Sequence, residues 1–178
     1  MKSALENYHQ LVTRIDDLCR EIEHALGESI TCSAGCSTCC TSISIFPVEA
    51  ASLAFALKNL PKEDAAEIRH HVQKHAGGER CPLLRNDRCL LYRARPIICR
   101  THGLPILFME NNRQRVDCCP QNDLKQKQLC GSSVIDLDKL NPVLVAVNAL
   151  FISHTDAAAA LPERLTIAEA IVGKHEKL

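Results

Sequence analysis

The sequence predicts a mainly α fold with a small β component. An apolar stripe at alternating spacings of four and three opens the chain, Pro47 and Pro61 stand where further helices begin, and the strand-like segments are short and bounded by turn residues. With 178 residues and 46% hydrophobic content the chain can bury a core without disulfides, so the expected organisation is a single domain over 1–178. Within it we expect an N-terminal helix in 1–28, a cysteine-rich segment over 32–120 and C-terminal helices in 134–178.

Residues 3–27 put Ala4, Tyr8, Leu11, Ile15, Leu18, Ile22 and Ala25 on one line, flanked by Leu5, Val12, Cys19 and Leu26, and Gly27 ends the helix. Cys19 falls on this stripe and reads as a small core residue. In "SISIF" the alternation of β-branched residues predicts a short strand from about Thr41 to Phe46. Pro47 then pre-sets the first turn of a helix through "VEAASLAFALKNL", with Leu53, Ala56, Leu57 and Leu60 on its apolar side. Another helix follows Pro61 and ends at Gly77-Gly78. "LPILFMENNRQRVDC" reads as a hairpin turning at Asn111-Asn112, which tolerate positive φ, with Val116 the one residue of the return strand to bury. "DLDKLNPVLVAVNALFISH" forms one helix, or two meeting where Asn141 caps and Pro142 occupies a first turn. Thr166 and Glu169 make a capping box for a last short helix. There is no internal repeat, long linker or low-complexity tract, the four alanines 157–160 being too few to count as one.

Composition excludes several classes. The 21 basic residues balance 21 acidic ones, and aromatics make up 3% with no Trp, so neither nucleic acid nor a membrane surface is an expected partner. The N-terminus has no uninterrupted apolar stretch of the secretory kind, and the longest apolar run, Pro142 to Ile152, is too short to span a bilayer and contains Asn148. The expected location is the cytoplasm. There is no Walker loop, no G-x-G-x-x-G and no G-x-S-x-G, and no catalytic residue stands out.

The chemistry lies in the 11 cysteines, an odd number that suits a reducing compartment better than a complete disulfide framework. "TCSAGCSTCCTS" holds Cys32, Cys36, Cys39 and Cys40; "CPLLRNDRCLLYRARPIICR" holds Cys81, Cys89 and Cys99; Cys118 and Cys119 precede Pro120. Cys36 and Cys39 have the spacing at which two thiolates from one tight loop reach a single metal ion. The first four positions would share a face of a helix, but Ser, Thr, Gly and Cys are poor helix formers and no large aliphatic residue anchors such a face. An isolated dithiol would need a βαβ context that is missing around Cys36 and Cys39. Seven or eight thiols from separate loops exceed what a dithiol catalyst needs and match a thiolate metal centre, of zinc or of iron and sulfur.

Between positions 80 and 100 stand Arg80, Arg85, Arg88, Arg93, Arg95 and Arg100 against one acid, Asp87. Such a concentration would offset the excess negative charge of a thiolate centre and lower the thiol pKa values, or bind an anionic ligand. Pro96 pre-sets a short helix in "RPIICR" that carries Cys99 inward, with Arg95 and Arg100 at its ends as candidate ligand-binding residues and Tyr92 packing over the site. His70, His71 and His75 read as the solvent face of a helix; His102, three residues after Cys99, is the better histidine to replace a thiolate or hydrogen-bond to one.

The ordered set "CSAGCSTCC", "CPLL", "CLLY", "RARPIICR" and "CCP" resembles the YkgJ-type cysteine-cluster family, described as zinc- or iron-chelating. The resemblance implies eight metal-associated cysteines: Cys32, Cys36, Cys39, Cys40, Cys81, Cys89, Cys99 and one of Cys118 or Cys119. Cys119 is preferred because Pro120 follows it as Pro often follows the family's last cysteine; Cys130 is a further candidate. A related cluster occurs in flagellin lysine methylases, which implies that the module can sit in an enzyme. The leading expectation is a cytosolic metal-binding protein with a metal-clamped centre, structural or electron-transferring, served by a protein or redox partner. The competing expectations are an oxidoreductase or modifying enzyme with an arginine-lined anion site, and a zinc-shaped protein-interaction module.

Overall fold

The first helix, α1 (Glu6–Leu26), buries Tyr8, Leu11, Ile15, Cys19, Ile22 and Leu26. The buried line follows the expected stripe as far as Ile15 and then runs through Cys19 and Leu26, leaving Ala25 exposed. An α-helix turns every 3.6 residues, so it drifts off a strict four-and-three pattern by about 20° per heptad. Gly27 closes α1 at φ +55°, its N–H bonded to Glu23 O. Cys19 is a core residue as expected, 7% exposed.

The fold is known from a computed structural model that describes residues 4–33, 35–124, 129, 131–155 and 161–173; Cys130 and the alanines 157–160 lie outside the described residues. Helix α2 (Pro47–Lys58) begins at Pro47 as expected, but it is buried on more than one side because it lies between two cores. Val48 and Ala51 pack with α1, Ile97, Ile135 and Phe151; Ala50, Leu53 and Leu57 pack with Ile68, Val72, Leu165 and Ile171. Full burial of each leucine contributes about 2 kcal/mol, and the alanines let neighbouring backbones approach. Helix α3 (Lys62–His75) supplies Ala65, Ile68 and Val72 to the second core.

The strands are short. Instead of a continuous strand over 41–46, β1 covers Ser44–Ile45 and pairs antiparallel with β7 (Leu165–Thr166), while Thr41 makes an isolated bridge to Arg80. The segment changes partner after three residues, which prevents a longer ladder. An additional hairpin, β2 (Leu84–Arg85) with β3 (Arg88–Cys89), turns at Asn86 and Asp87, both at positive φ. The expected hairpin forms from β4 (Ile106–Glu110) and β5 (Arg113–Asp117), with Asn111 at φ +50° and Asn112 at φ +60°. Val116 is 44% exposed rather than buried, because β5 is an edge strand exposed along its length while β4 takes β6 (Ile135–Asp136) on its other side.

Beyond the β2–β3 hairpin, α4 (Ile97–Thr101), α5 (Leu137–Ser153) and α6 (Ile167–Val172) complete the set of described α-helices. α5 is one helix with Pro142 inside it, and its cap is Asp136, whose side chain accepts from Asp138 N and Lys139 N, rather than Asn141. Asn148, the polar residue in the apolar run, is buried, and its Oδ1 accepts from Val48 N at the start of α2. α6 starts with the expected capping box: Thr166 Oγ1 accepts from Glu169 N at 3.1 Å and Glu169 Oε2 accepts from Thr166 N at 2.7 Å. Helix dominates and the sheets are small, so the mainly α reading of the sequence stands.

Candidate metal centre

The described residues of 31–41 form a loop of turns, not a helix: Cys36 N donates to Ser33 O, Cys40 N to Ser37 O and Thr41 N to Cys39 O, with Gly35 at φ +99°. The Cys39 and Cys40 thiols lie within reach of each other, and each also has partners beyond the loop or along it.

Cys32 lies within electrostatic reach of Cys36, Cys39 and Cys119. Three long-range links make this meeting possible. Cys119 N donates to Gly103 O at 3.3 Å, and Gly103 sits at φ +98° where a Cβ would lie 3.8 Å from both Cys119 Cβ and Cys32 Sγ. The Cys36 thiol donates to Gln121 Oε1 at 3.8 Å. Asn122, buried, accepts from Thr31 N at 3.0 Å through Oδ1, donates to Gly103 O through Nδ2 and gives its own N–H to Cys119 O. One side chain thus ties the start of the cysteine loop to the turn at Gly103, and the same residue's backbone N–H adds Cys119. Beside these thiols opens a cavity of about 300 Å³, lined also by Thr38, His102, Asp117 and Cys118. Cys32 and Cys39 are exposed.

Cys40 stands beside Cys39 and Cys36 and also reaches a further set of thiols. Its carbonyl accepts from Cys81 N at 3.0 Å, and its thiol is in electrostatic reach of Cys81, as Cys89 is of Cys40. Cys99 reaches Cys81, Cys89 and Cys40. These four thiols come from the end of the first loop, the segment before β2, strand β3 and helix α4. Cys81 and Cys89 pack on the second hydrophobic core. The hairpin is tied to the first loop by Asp87 Oδ1, which accepts from Ser37 Oγ at 2.6 Å, while Arg80 donates to the same hydroxyl at 2.8 Å.

Cys99 comes inward from a five-residue helix as expected, with Pro96 at its N-cap. The helix is fixed by two residues that sequence reasoning did not single out. Glu49 on α2, buried, accepts from Ile97 N at 2.9 Å and from Phe46 N at 3.0 Å, so one carboxylate holds the starts of two helices. Burial raises the Glu49 pKa and those two N–H groups oppose it. Asp16 on α1 accepts from Arg100 at 2.7 and 2.8 Å. Arg100 also donates to Arg95 O and Arg93 O.

The arginines therefore divide by role. Arg100, with its side chain 7% exposed, binds α1 and the preceding turn. Arg95 lies over the Tyr92 ring at 3.6 Å, donates to Tyr92 O and Cys99 O, and opposes the rise of the Cys89 and Cys99 pKa values. Arg80 does the same for Cys40, and Arg85 pairs with Glu67. The expected lowering of the thiol pKa values is nevertheless outweighed. Burial, reinforced by the neighbouring thiols, pushes Cys99 up to about 12, and burial raises Cys32, Cys39, Cys40, Cys81, Cys89 and Cys118 as well. Tyr92 is 58% exposed, covering Arg95 more than the thiols.

Among the described residues all ten cysteines are free, and no three His, Cys, Asp or Glu side chains already stand together as a metal would hold them. His102 lines the cavity beside Cys32. His71 is half-buried, not fully solvent-facing, with Nε2 3.0 Å from Leu84 O, and its ring lies 4.2 Å from that of His75.

Residues 31–130 match the family model CxxCxxCC, described as "putative zinc- or iron-chelating domain". The chain belongs to this family. The matched span includes both cysteine groups, from Cys32 through Cys119, and extends to Cys130. No curated protein and no solved structure matches the chain. The CxxCxxCC domain places Cys32, Cys36, Cys39 and Cys119 around one cavity, and Cys40 within electrostatic reach of Cys81 as well as of Cys39 and Cys36. The signal for the second hairpin was present in the Asn86-Asp87 dipeptide. Asn122 carried none, since its partners are 19 and 91 residues away in sequence.

Proposed function

We propose that this protein is a cytosolic, single-domain metal-binding protein whose two cysteine quartets are the ligands of two thiolate sites. What supports this reading is that Cys32, Cys36, Cys39 and Cys119 line one cavity while Cys40, Cys81, Cys89 and Cys99 lie within electrostatic reach of one another, Cys39 and Cys40 being neighbours where the two sets meet. Four soft sulfur donors per group fit tetrahedral zinc and equally fit an iron–sulfur cluster; hard cations such as magnesium or calcium would require oxygen ligands. Bound zinc would supply a cross-link between loops, and bound iron and sulfur a centre for one-electron transfer.

The residues of this chain do the rest. Burial raises the Cys99 and Cys40 pKa values, so loading releases protons there, and Arg95 and Arg80 reduce the cost of leaving thiolates behind. Glu49 and the Asp16–Arg100 pair hold the helix bearing Cys99; Asn122 holds the loop bearing Cys32. Such outer partners fix ligand orientation. Among the described residues no helix is long and apolar enough to cross a membrane, in keeping with the proposed location.

The reading is tested by metal analysis and a visible absorption spectrum on full-length protein purified without oxygen and without a histidine tag. Stoichiometric zinc in colourless protein supports structural or storage sites. Iron with acid-labile sulfide and a broad visible band supports electron transfer. Folded protein that retains neither metal overturns the proposal. Arg95 supports the enzyme alternative, since its guanidinium lies beside the second quartet: if Arg95→Lys keeps metal content but loses binding of an anionic ligand, the arginine serves that ligand.

A further inference from the structure

We propose that the two quartets differ in exchange: the group of Cys32, Cys36, Cys39 and Cys119 is the site where metal is loaded and released, and the group of Cys40, Cys81, Cys89 and Cys99 retains its metal. The inference rests on the two-site reading above and goes beyond it by assigning the sites different roles. A metal held by four thiolates exchanges when a further donor approaches and a thiolate leaves, so the rate depends on whether a donor can reach the ion. The first quartet has exposed thiols at Cys32 and Cys39 and opens on a cavity of about 300 Å³. That space admits a ligand of small size, and the side chains around it, His102, Asp117 and Cys118, are themselves metal donors.

The second quartet has none of these features. Its thiols are half-buried, as Cys36 and Cys119 also are, but none is exposed; Cys81 and Cys89 rest on a hydrophobic core, and Cys99 is carried by a helix held from α1 and α2. Access there requires moving packed structure. The ligand class that serves the open site is a soft donor, a thiolate above all, small or on the surface of a partner protein. In the exchange the incoming thiol gives up its proton and bonds to the metal while a cysteine thiolate leaves and takes up a proton, with no change of oxidation state.

The test uses full-length protein loaded with two zinc ions per chain without oxygen. A chromogenic zinc chelator, 4-(2-pyridylazo)resorcinol, is added together with iodoacetamide, and alkylated cysteines are mapped by mass spectrometry as zinc is released. We expect two phases differing by about tenfold or more, because solvent access to a site governs its exchange. Cys32, Cys36, Cys39 and Cys119 should be modified in the fast phase, with Cys40, Cys81, Cys89 and Cys99 protected until the slow one. Thr38→Trp, which narrows the cavity without removing a thiol, should slow the fast phase alone; an unchanged fast phase overturns the cavity as the route. Two ions leaving at one rate, or first from the Cys40 group, overturns the inference and leaves the two-site reading intact. Failure to load two ions per chain overturns the two-site reading itself.

Discussion

The two cysteine groups share one loop yet rest on different foundations. Cys32, Cys36 and Cys39 belong to a run of turns tied by a few hydrogen bonds to Gln121 and Asn122, the latter bonded in turn to Gly103. Cys81, Cys89 and Cys99 sit before β2, on β3 and on α4, backed by the second core and by a buried carboxylate. The same residue type is thus placed once by local turn geometry with a polar staple and once by packed secondary structure. Packed placement gives stiffness and protection; turn placement gives access.

The largest expected effect is on the packed side. Cys99→Ser should lower metal content by one ion per chain and depress the thermal midpoint far more than Cys36→Ser does, since structural zinc supplies on the order of 10 kcal/mol in small domains. Metal analysis and calorimetry on the two variants measure this; equal destabilisation would erase the contrast between the groups.

Acidification comes next. Cys99 holds its proton up to about 12 in the free protein, and the Cys32, Cys39, Cys40, Cys81 and Cys89 pKa values are raised as well. Below those values each such thiol must expel a proton to bind metal, so affinity rises with pH and falls as pH drops, by about tenfold per pH unit for every proton displaced. Titration calorimetry in buffers of different ionisation enthalpy counts the protons. Both sites should release them, because pKa values are raised in both groups.

Glu49→Ala leaves Ile97 N and Phe46 N without their buried acceptor and should cost about 3 kcal/mol in a denaturant titration. Glu49→Gln restores one acceptor and should recover part of that. The metal of the Cys40 group should be lost more readily in Glu49→Ala, while that of the Cys32 group is unaffected. Asn122→Ala sharpens the comparison from the other side. Removing the side-chain staple between Thr31 and Gly103 should weaken the open site about tenfold and leave the other unchanged, as chelator competition would show. The smallest effect expected is from Asp16→Asn, about 1 kcal/mol, because the carboxylate is partly solvated even though Arg100 is buried.

Much of the fold was legible because its determinants are local. The stripe on α1, Pro47 at the start of α2, the Asn111-Asn112 turn and the Thr166–Glu169 box each act within a few residues. Where the reading departed from the structure, a distant partner decided. Segment 41–46 forms one bridge and one two-residue strand because Arg80 and the 165–166 strand compete for it. Asp136 displaces Asn141 as the cap of α5 because β6 leads directly into that helix.

By itself the sequence determined the chemical inventory: which residues are thiols, their spacing in the chain, the family they mark and the helical periods around them. These depend on neighbours a few positions apart. The tertiary structure alone decided that Cys40 reaches Cys81 as well as its neighbour Cys39, that Cys119 stands beside Cys32, and that Arg100 faces Asp16 while Arg95 faces the thiols. The physical reason is that these outcomes follow from contacts such as Glu49 with Ile97 and Asn122 with Thr31, which join residues 48 and 91 positions apart.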